Sequence, residues 1–187
     1  MSHRVVILAS GSGTLAQSII DADSLDIDIV AIISDQVDAP VLTRAQASGI
    51  ATVVIPVASS RDTWNLQIIE KVAAYKPDLV VSAGFMRILP PDFVNRFPTI
   101  NSHPALLPDF PGAHAVRDAL AAGVSVTGTT VHWVDDGIDT GPIITQMQVP
   151  VLPGDDEAIL HERIKKVERG LIVATISLIL PSLEPHV

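Results

Sequence analysis

The sequence predicts an α/β fold: a doubly wound, open and mostly parallel sheet with an antiparallel pair at one edge. Three observations predict it. Short, near-continuous apolar runs recur through the first half, as parallel strands buried on both faces require. Segments of helical periodicity separate them, so the order reads βαβαβαβ, the pattern of a Rossmann-like half. Two longer strand-like runs in the second half are joined by one short loop, which suits an antiparallel pair.

Each element has a local reason. The buried strands are Val5 to Ala9, Ile27 to Ile33, Ala51 to Ile55 and Leu79 to Ala83. The helices between them are Thr14 to Ala22, Pro40 to Ser48 with Gly49 as its stop, and Ser59 to Tyr75. In the last of these Ser59 and Asp62 stand at capping-box spacing, and Ile68, Val72 and Tyr75 form an apolar stripe. Thr99 to Ser102 reads as a further strand and Ala115 to Ala122 as a short helix. Ser125 to Val134 and Ile143 to Val151 are the antiparallel pair, joined through Asp135 to Gly141. A final helix runs from Asp156 to Leu180, with Leu160, Ile164, Val167 and Leu171 on one face and Pro181 as its end. No repeat, low-complexity stretch or linker interrupts the chain, so residues 1–187 read as a single domain.

Composition narrows the function. With 48% hydrophobic residues in short runs cut by Gly, Pro and charges, the chain is expected to be soluble, with no membrane span. The N-terminus enters a strand at once and lacks the layout of a signal peptide. No cysteine is present, which excludes a thiol nucleophile, a cysteine zinc site and disulfides, and fits the cytoplasm. A net charge of −9 argues against nucleic acid as the partner, since that binding rests on clustered Lys and Arg. A small phosphate ester remains compatible, because helix N-termini bind phosphate without net positive charge.

The most telling stretch is Thr99-Ile-Asn-Ser-His-Pro-Ala-Leu-Leu-Pro108. Strand side chains alternate, so Asn101 and His103 point to the same side. Pro104 then ends the ladder. A neutral donor and a titratable ring are thereby aimed at one point, as acyl-type transfer requires. Such residues can also satisfy local backbone groups, but ligands of open α/β sheets bind at this carboxyl edge.

Three other segments add to it. Ser10-Gly-Ser-Gly-Thr14 follows the first strand and opens a helix, a natural seat for phosphate or else a tight connection capped by Thr14. The dinucleotide spacing fails, because Ala16 takes the third glycine position. The loop His132 to Gly141 carries Asp135, Asp136 and Asp139. The first two read as a solvated turn. Asp139, where the chain returns to an apolar strand, is the candidate to lie inward and steady a positive charge on His103. No metal-ligand spacing appears, so no metal is expected. Gly84-Phe-Met-Arg-Ile-Leu-Pro-Pro91 follows a buried strand and could grip a flat heterocycle or be ordinary core before a loop.

Together these motifs resemble the phosphoribosylglycinamide formyltransferases, from Val5 to about Ala174. The matching runs are Ser10-Gly-Ser-Gly-Thr, Ala83-Gly-Phe-Met-Arg-Ile-Leu, Asn101-Ser-His-Pro-Ala-Leu-Leu-Pro-Asp-Phe-Pro-Gly-Ala-His, and Gly128-Thr-Thr-Val-His-Trp-Val with Ile138-Asp-Thr-Gly-Pro-Ile. The resemblance implies a formyltransferase-like fold and transfer of the formyl group of 10-formyltetrahydrofolate to the amine of 5′-phosphoribosylglycinamide, in purine biosynthesis. It implies Asn101, His103 and Asp139 as the catalytic set. It implies a ribonucleotide site at Gly11, Ser12, Gly13, Thr14 and Leu15, with Glu168 on the ribose and Lys165 near the phosphate or ribose. It implies folate contacts from Arg61, Met86, Arg87, Ile88, Leu89, Asn101, Val134 and Asp139.

The chain departs from that pattern in places. Leu15 stands where many relatives have Asn, Lys165 where some have Gln, and the sequence ends soon after its last helix. Formyltetrahydrofolate hydrolase shares the catalytic set but carries an added N-terminal domain. Methionyl-tRNA formyltransferase carries an added C-terminal domain and binds tRNA. A non-catalytic folate- or nucleotide-binding module would not need Asn101, His103 and Asp139. The expected partners are small-molecule substrates, with neither nucleic acid nor membrane; a homodimer is left open.

Overall fold

A computed structural model describes residues 2–57 and 60–183. The elements are β1 (His3–Leu8), α1 (Thr14–Ile20), β2 (Ile27–Ser34), α2 (Pro40–Ala47), β3 (Thr52–Val54), α3 (Arg61–Ala73), β4 (Leu79–Ser82) and α4 (Pro91–Val94). They continue with β5 (Thr99–His103), α5 (Ala115–Ala121), β6 (Val126–Trp133), β7 (Ile143–Pro150) and α6 (Glu157–Ile179), followed by a 3₁₀ turn at Leu180–Ser182.

The seven strands form one sheet in the order β3-β2-β1-β4-β5-β6-β7. Strands β1 to β5 pair in parallel, and β6 runs antiparallel to both β5 and β7. This is the doubly wound mixed sheet with an antiparallel edge that the sequence predicts. Connections run outward in both directions from β1 and β4, so the loops after these two strands meet at the switch point.

Both faces are buried. On one face α1, α2 and α6 pack over Val5, Ile7, Val81, Ile100 and Val131. On the other, Trp64, Ile68 and Val72 of α3 and Phe93 of α4 cover Val6, Leu8 and Val80. Burying each large apolar side chain contributes roughly 1.5–3 kcal/mol, which is why these runs need no alternation. Among the described residues no helix is long and apolar enough to cross a membrane.

Three local readings change. The cap of α3 is Ser60, whose hydroxyl accepts the Thr63 N–H at 3.4 Å; the Ser59 assigned from the sequence lies outside the described residues. The Pro-rich stretch after Leu89 holds one helical turn, α4, because Pro at its first position supplies a helical φ and Phe93 is buried beneath it. The inward seam of α6 runs through Leu160, Ile164, Glu168, Ile172 and Ile176, with Val167 and Leu171 only half-buried. A glutamate in the seam hid its course.

Candidate active site

The carboxyl edge of β5 builds the site. Asn101 and His103 lie on one face, and the β5–β6 register sets His132 directly opposite Asn101. His132 Nδ1 donates to the Trp133 carbonyl at 2.9 Å, since a carbonyl can only accept. Its Nε2 is then the acceptor of the neutral ring and meets the Asn101 amide nitrogen at 3.3 Å. One Asn101 N–H is held there, and the second is left for a ligand oxygen.

His103 is 4% exposed and faces two oxygens. Its Nε2 donates to the Phe110 carbonyl at 2.8 Å. Its Nδ1 stands 3.3 Å from Asp139 Oδ2. Asp139 arrives from the β6–β7 loop with a left-handed backbone (φ 55°). Its Oδ2 also accepts the Gly112 N–H at 2.8 Å, and its Oδ1 lies 3.5 Å from His132 Nε2. Burial alone would raise this carboxyl. The His132 ring beside it, the Gly112 hydrogen bond and the nearby His103 ring outweigh burial and hold it below the usual carboxylate range.

The surrounding loops are fixed from behind. Asp135 accepts the Gly137 N–H at 3.1 Å and the Thr140 hydroxyl at 2.8 Å, so it braces the turn that delivers Asp139; Asp136 is exposed. Gly141 passes so close to Trp133 that a Cβ would meet its carbonyl oxygen at 1.8 Å. Thr130 donates to the Ala105 carbonyl at 2.7 Å and accepts the Leu107 N–H at 3.0 Å, anchoring the chain beyond Pro104.

The glycine turn lies at the neighbouring switch point. Gly13, not Thr14, is the N-cap of α1; it is left-handed, and a Cβ there would meet Val41 Cγ2 at 2.5 Å. Gly11, Ser12 and Thr14 complete the turn, while the Leu15 side chain is 8% exposed and belongs to the core, leaving only its N–H for a ligand. Arg44 of α2 donates from Nε to the Ser12 carbonyl at 2.8 Å, setting a guanidinium beside the turn.

The loop after β4 runs alongside. Met86 and Ile88 are exposed, Arg87 is half-buried and Leu89 lies in the core. Arg61 of α3 donates to the Ile88 carbonyl, and its guanidinium lies 5.2 Å from the Trp64 ring centroid. Val134 is half-buried and donates its N–H to the Thr99 carbonyl at 2.8 Å. On the opposite face of β5, Ser102 donates to Glu168 Oε1 at 2.7 Å. Burial pushes the Glu168 carboxyl above its ordinary range, against the Ser102 hydrogen bond and the charge of Lys165. Lys165 itself pairs with Glu162 at 3.0 Å.

The structure thus joins Asn101, His103 and Asp139 in one cluster and sets the two loops side by side, while Lys165 is turned to its own helix. Among the described residues no group of three or more His, Cys, Asp or Glu is arranged to hold a metal ion.

Comparison with known proteins places the chain in a family. The sequence matches the formyl transferase family over residues 3–176. It is 54% identical over 179 residues to the phosphoribosylglycinamide formyltransferase of Mycobacterium tuberculosis, covering 93% of this chain and 83% of that one. The chain belongs to the phosphoribosylglycinamide formyltransferase family. The Escherichia coli member is 41% identical over 180 residues, covering 92% of this chain and 85% of its own. Among solved structures, glycinamide ribonucleotide transformylase 1 from Symbiobacterium toebii superposes with a TM-score of 0.94 at 39% identity, over 97% of this chain and 89% of that chain.

Three residues of this formyl transferase, His132, Ser102 and Arg44, and the Phe110–Gly112 corner escaped the reading of its sequence as parts of the cluster and its surroundings. The signal for His132 was the β5–β6 register, which places it across from Asn101. Ser102 alternates away from Asn101 and His103, so it reads as core until α6 is docked on that face. For Arg44 no local signal exists, because its partner lies on another element.

Proposed function

We propose that this enzyme transfers the formyl group of 10-formyltetrahydrofolate to the amine of 5′-phosphoribosylglycinamide. The observation that carries the reading is the convergence of Asn101, His103 and Asp139, with Asp139 Oδ2 3.3 Å from His103 Nδ1 at the carboxyl edge of β5. Family membership supplies the substrate class, and the cluster supports the chemistry.

The amine nitrogen attacks the formyl carbon, and the carbonyl electrons move onto oxygen. The unpledged Asn101 N–H donates to that oxyanion, and so does His103 once its Nε2–H exchanges the Phe110 carbonyl for the formyl oxygen. Collapse breaks the bond from carbon to N10. The leaving nitrogen gains a proton while the attacking nitrogen loses one. His103 and a water held by ionised Asp139 carry those transfers.

The exposed Met86 and Ile88 side chains and the main chain at Leu89 suit the flat pterin. The Gly11–Leu15 turn, with Arg44 beside it, suits the phosphate, and the family resemblance assigns Glu168 to the ribose hydroxyls. The reading implies a cytoplasmic enzyme of purine biosynthesis that works on two small molecules. Incubation with the formyl donor, with and without the ribonucleotide, tests it. Donor is consumed only with the ribonucleotide present. Equal consumption in its absence indicates hydrolysis and overturns the reading.

A further inference from the structure

The loop after β4 has no regular secondary structure from Phe85 to Pro90 beyond one bend, yet three successive residues are each tethered to a different part of the chain: the loop after β1, the loop after β2, and α3. Met86 donates its N–H to the Ser10 hydroxyl at 2.8 Å, and the Ser10 N–H donates to the Gly84 carbonyl at 3.1 Å. Arg87 Nε donates to Asp35 Oδ2 at 2.7 Å. The Ile88 carbonyl accepts from Arg61. Arg61 is among the residues the family resemblance assigns to folate; Ser10 and Asp35 are assigned to neither substrate.

Asp35 follows β2 and is only 3% exposed. Its Oδ2 takes both Arg87 Nε and Gln36 Nε2, the latter at 2.8 Å, while Oδ1 is buried without a hydrogen bond of ordinary length. Burial of the carboxyl works against its charge. The nearby Ser10 hydroxyl, Arg87 and Gln36 overcome that and lower it below its usual range. An ionised, buried carboxylate held in this way is costly unless its partners stay in place, so it fixes Arg87 firmly. Ser10, in turn, is the first residue of the glycine turn. It therefore belongs to the covalent frame of one substrate loop while bonding the other.

We propose that Ser10 and Asp35 are positioning residues that hold the formyl-donor loop in its binding shape and couple it to the ribonucleotide loop. The proposal rests on the functional reading above. A ribonucleotide seated on Gly11–Leu15 steadies Ser10, and Ser10 steadies Met86 and Arg87. Coupling of this kind is reciprocal: each substrate tightens the other by the same factor, typically about 5- to 150-fold.

Titration with tetrahydrofolate and glycinamide ribonucleotide, a pair that cannot react, measures the coupling directly. In the parent enzyme saturating ribonucleotide tightens tetrahydrofolate about 5-fold or more. In Asp35→Asn tetrahydrofolate alone binds about 10-fold more weakly, as loss of a charge-assisted hydrogen bond implies, and the coupling factor falls toward one. Ser10→Ala, a smaller change that leaves Asp35 and Arg87 in place, also abolishes the coupling. In steady state the donor KM of both variants rises by more than any fall in kcat. Parent-like coupling in Ser10→Ala, or a kcat loss that exceeds the rise in donor KM, overturns the proposal. A parent that binds both ligands but transfers no formyl group overturns the functional reading instead, and the proposal with it.

Discussion

The Asn101 amide and the His132 imidazole face each other at 3.3 Å across the β5–β6 pair. Because His132 Nδ1 is committed to the Trp133 carbonyl, the ring offers Asn101 an acceptor and fixes which end of the amide points inward. In the proposed mechanism His132 is thus a positioning residue for the group that meets the oxyanion. His132→Phe keeps an aromatic ring, one atom larger, and removes the acceptor. Turnover is expected to fall about 10-fold or more, in line with an orphaned buried hydrogen-bond donor, with little change in ribonucleotide affinity. Unchanged kcat in this variant removes His132 from the account.

Asp139 is expected to act on charge that develops during transfer. Asp139→Asn therefore lowers kcat about 100- to 1,000-fold while ribonucleotide binding, measured by titration, changes far less. The same variant has a stability signature. The folded carboxyl sits below its ordinary range, so its contribution is present above the unfolded value and is lost as pH falls through the folded one. The melting temperature of the parent should drop more steeply on acidification than that of Asp139→Asn. Parallel acid limbs would show that the charge of Asp139 is not held by its neighbours.

Glu168 predicts the opposite slope. Its folded carboxyl is raised by burial, so its contribution is full below the unfolded value and is lost as pH rises through the folded one. Glu168→Gln should melt at a higher temperature than the parent at pH 8, by about 2–4 °C for each kcal/mol gained, and show no such gain near pH 4. Its KM for the ribonucleotide should rise. A melting temperature equal to that of the parent at both pH values would contradict the buried charge.

Under the proposed function two cations are candidates for the phosphate. Arg44 is bonded to the glycine turn itself, whereas Lys165 is paired with Glu162 and acts on Glu168 through its charge. Arg44→Gln should raise the ribonucleotide KM strongly at low salt and less at high salt, as screening requires. Lys165→Gln should raise it by a smaller factor. Identical constants for Lys165→Gln and the parent at low salt would assign Lys165 to the solvated face of α6.

The layout of strands and helices was legible because buried parallel strands announce themselves as apolar runs between glycines and prolines, as at Val5 to Ala9 and Leu79 to Ala83. The shared side of Asn101 and His103 followed from alternation alone. Contacts between distant segments were not legible. Asp35 looks like the polar end of a strand, and only the sheet order brings it beside Arg87. The seam of α6 was misjudged at Glu168, since a glutamate reads as solvent-facing until Ser102 is found beneath it. The cap of α3 moved by one residue for a similar reason: two adjacent serines are equivalent on paper, and the hydrogen bond goes to Ser60.

The account is tested most directly by following a labelled formyl carbon through a single turnover, in the parent enzyme and in His103→Ala. The parent should pass the label from 10-formyltetrahydrofolate to the amine of the ribonucleotide. His103→Ala should bind both substrates and transfer the label about 100- to 1,000-fold more slowly. Label released as formate by the parent, or a near-normal rate in His103→Ala, would contradict formyl transfer at the Asn101–His103–Asp139 cluster.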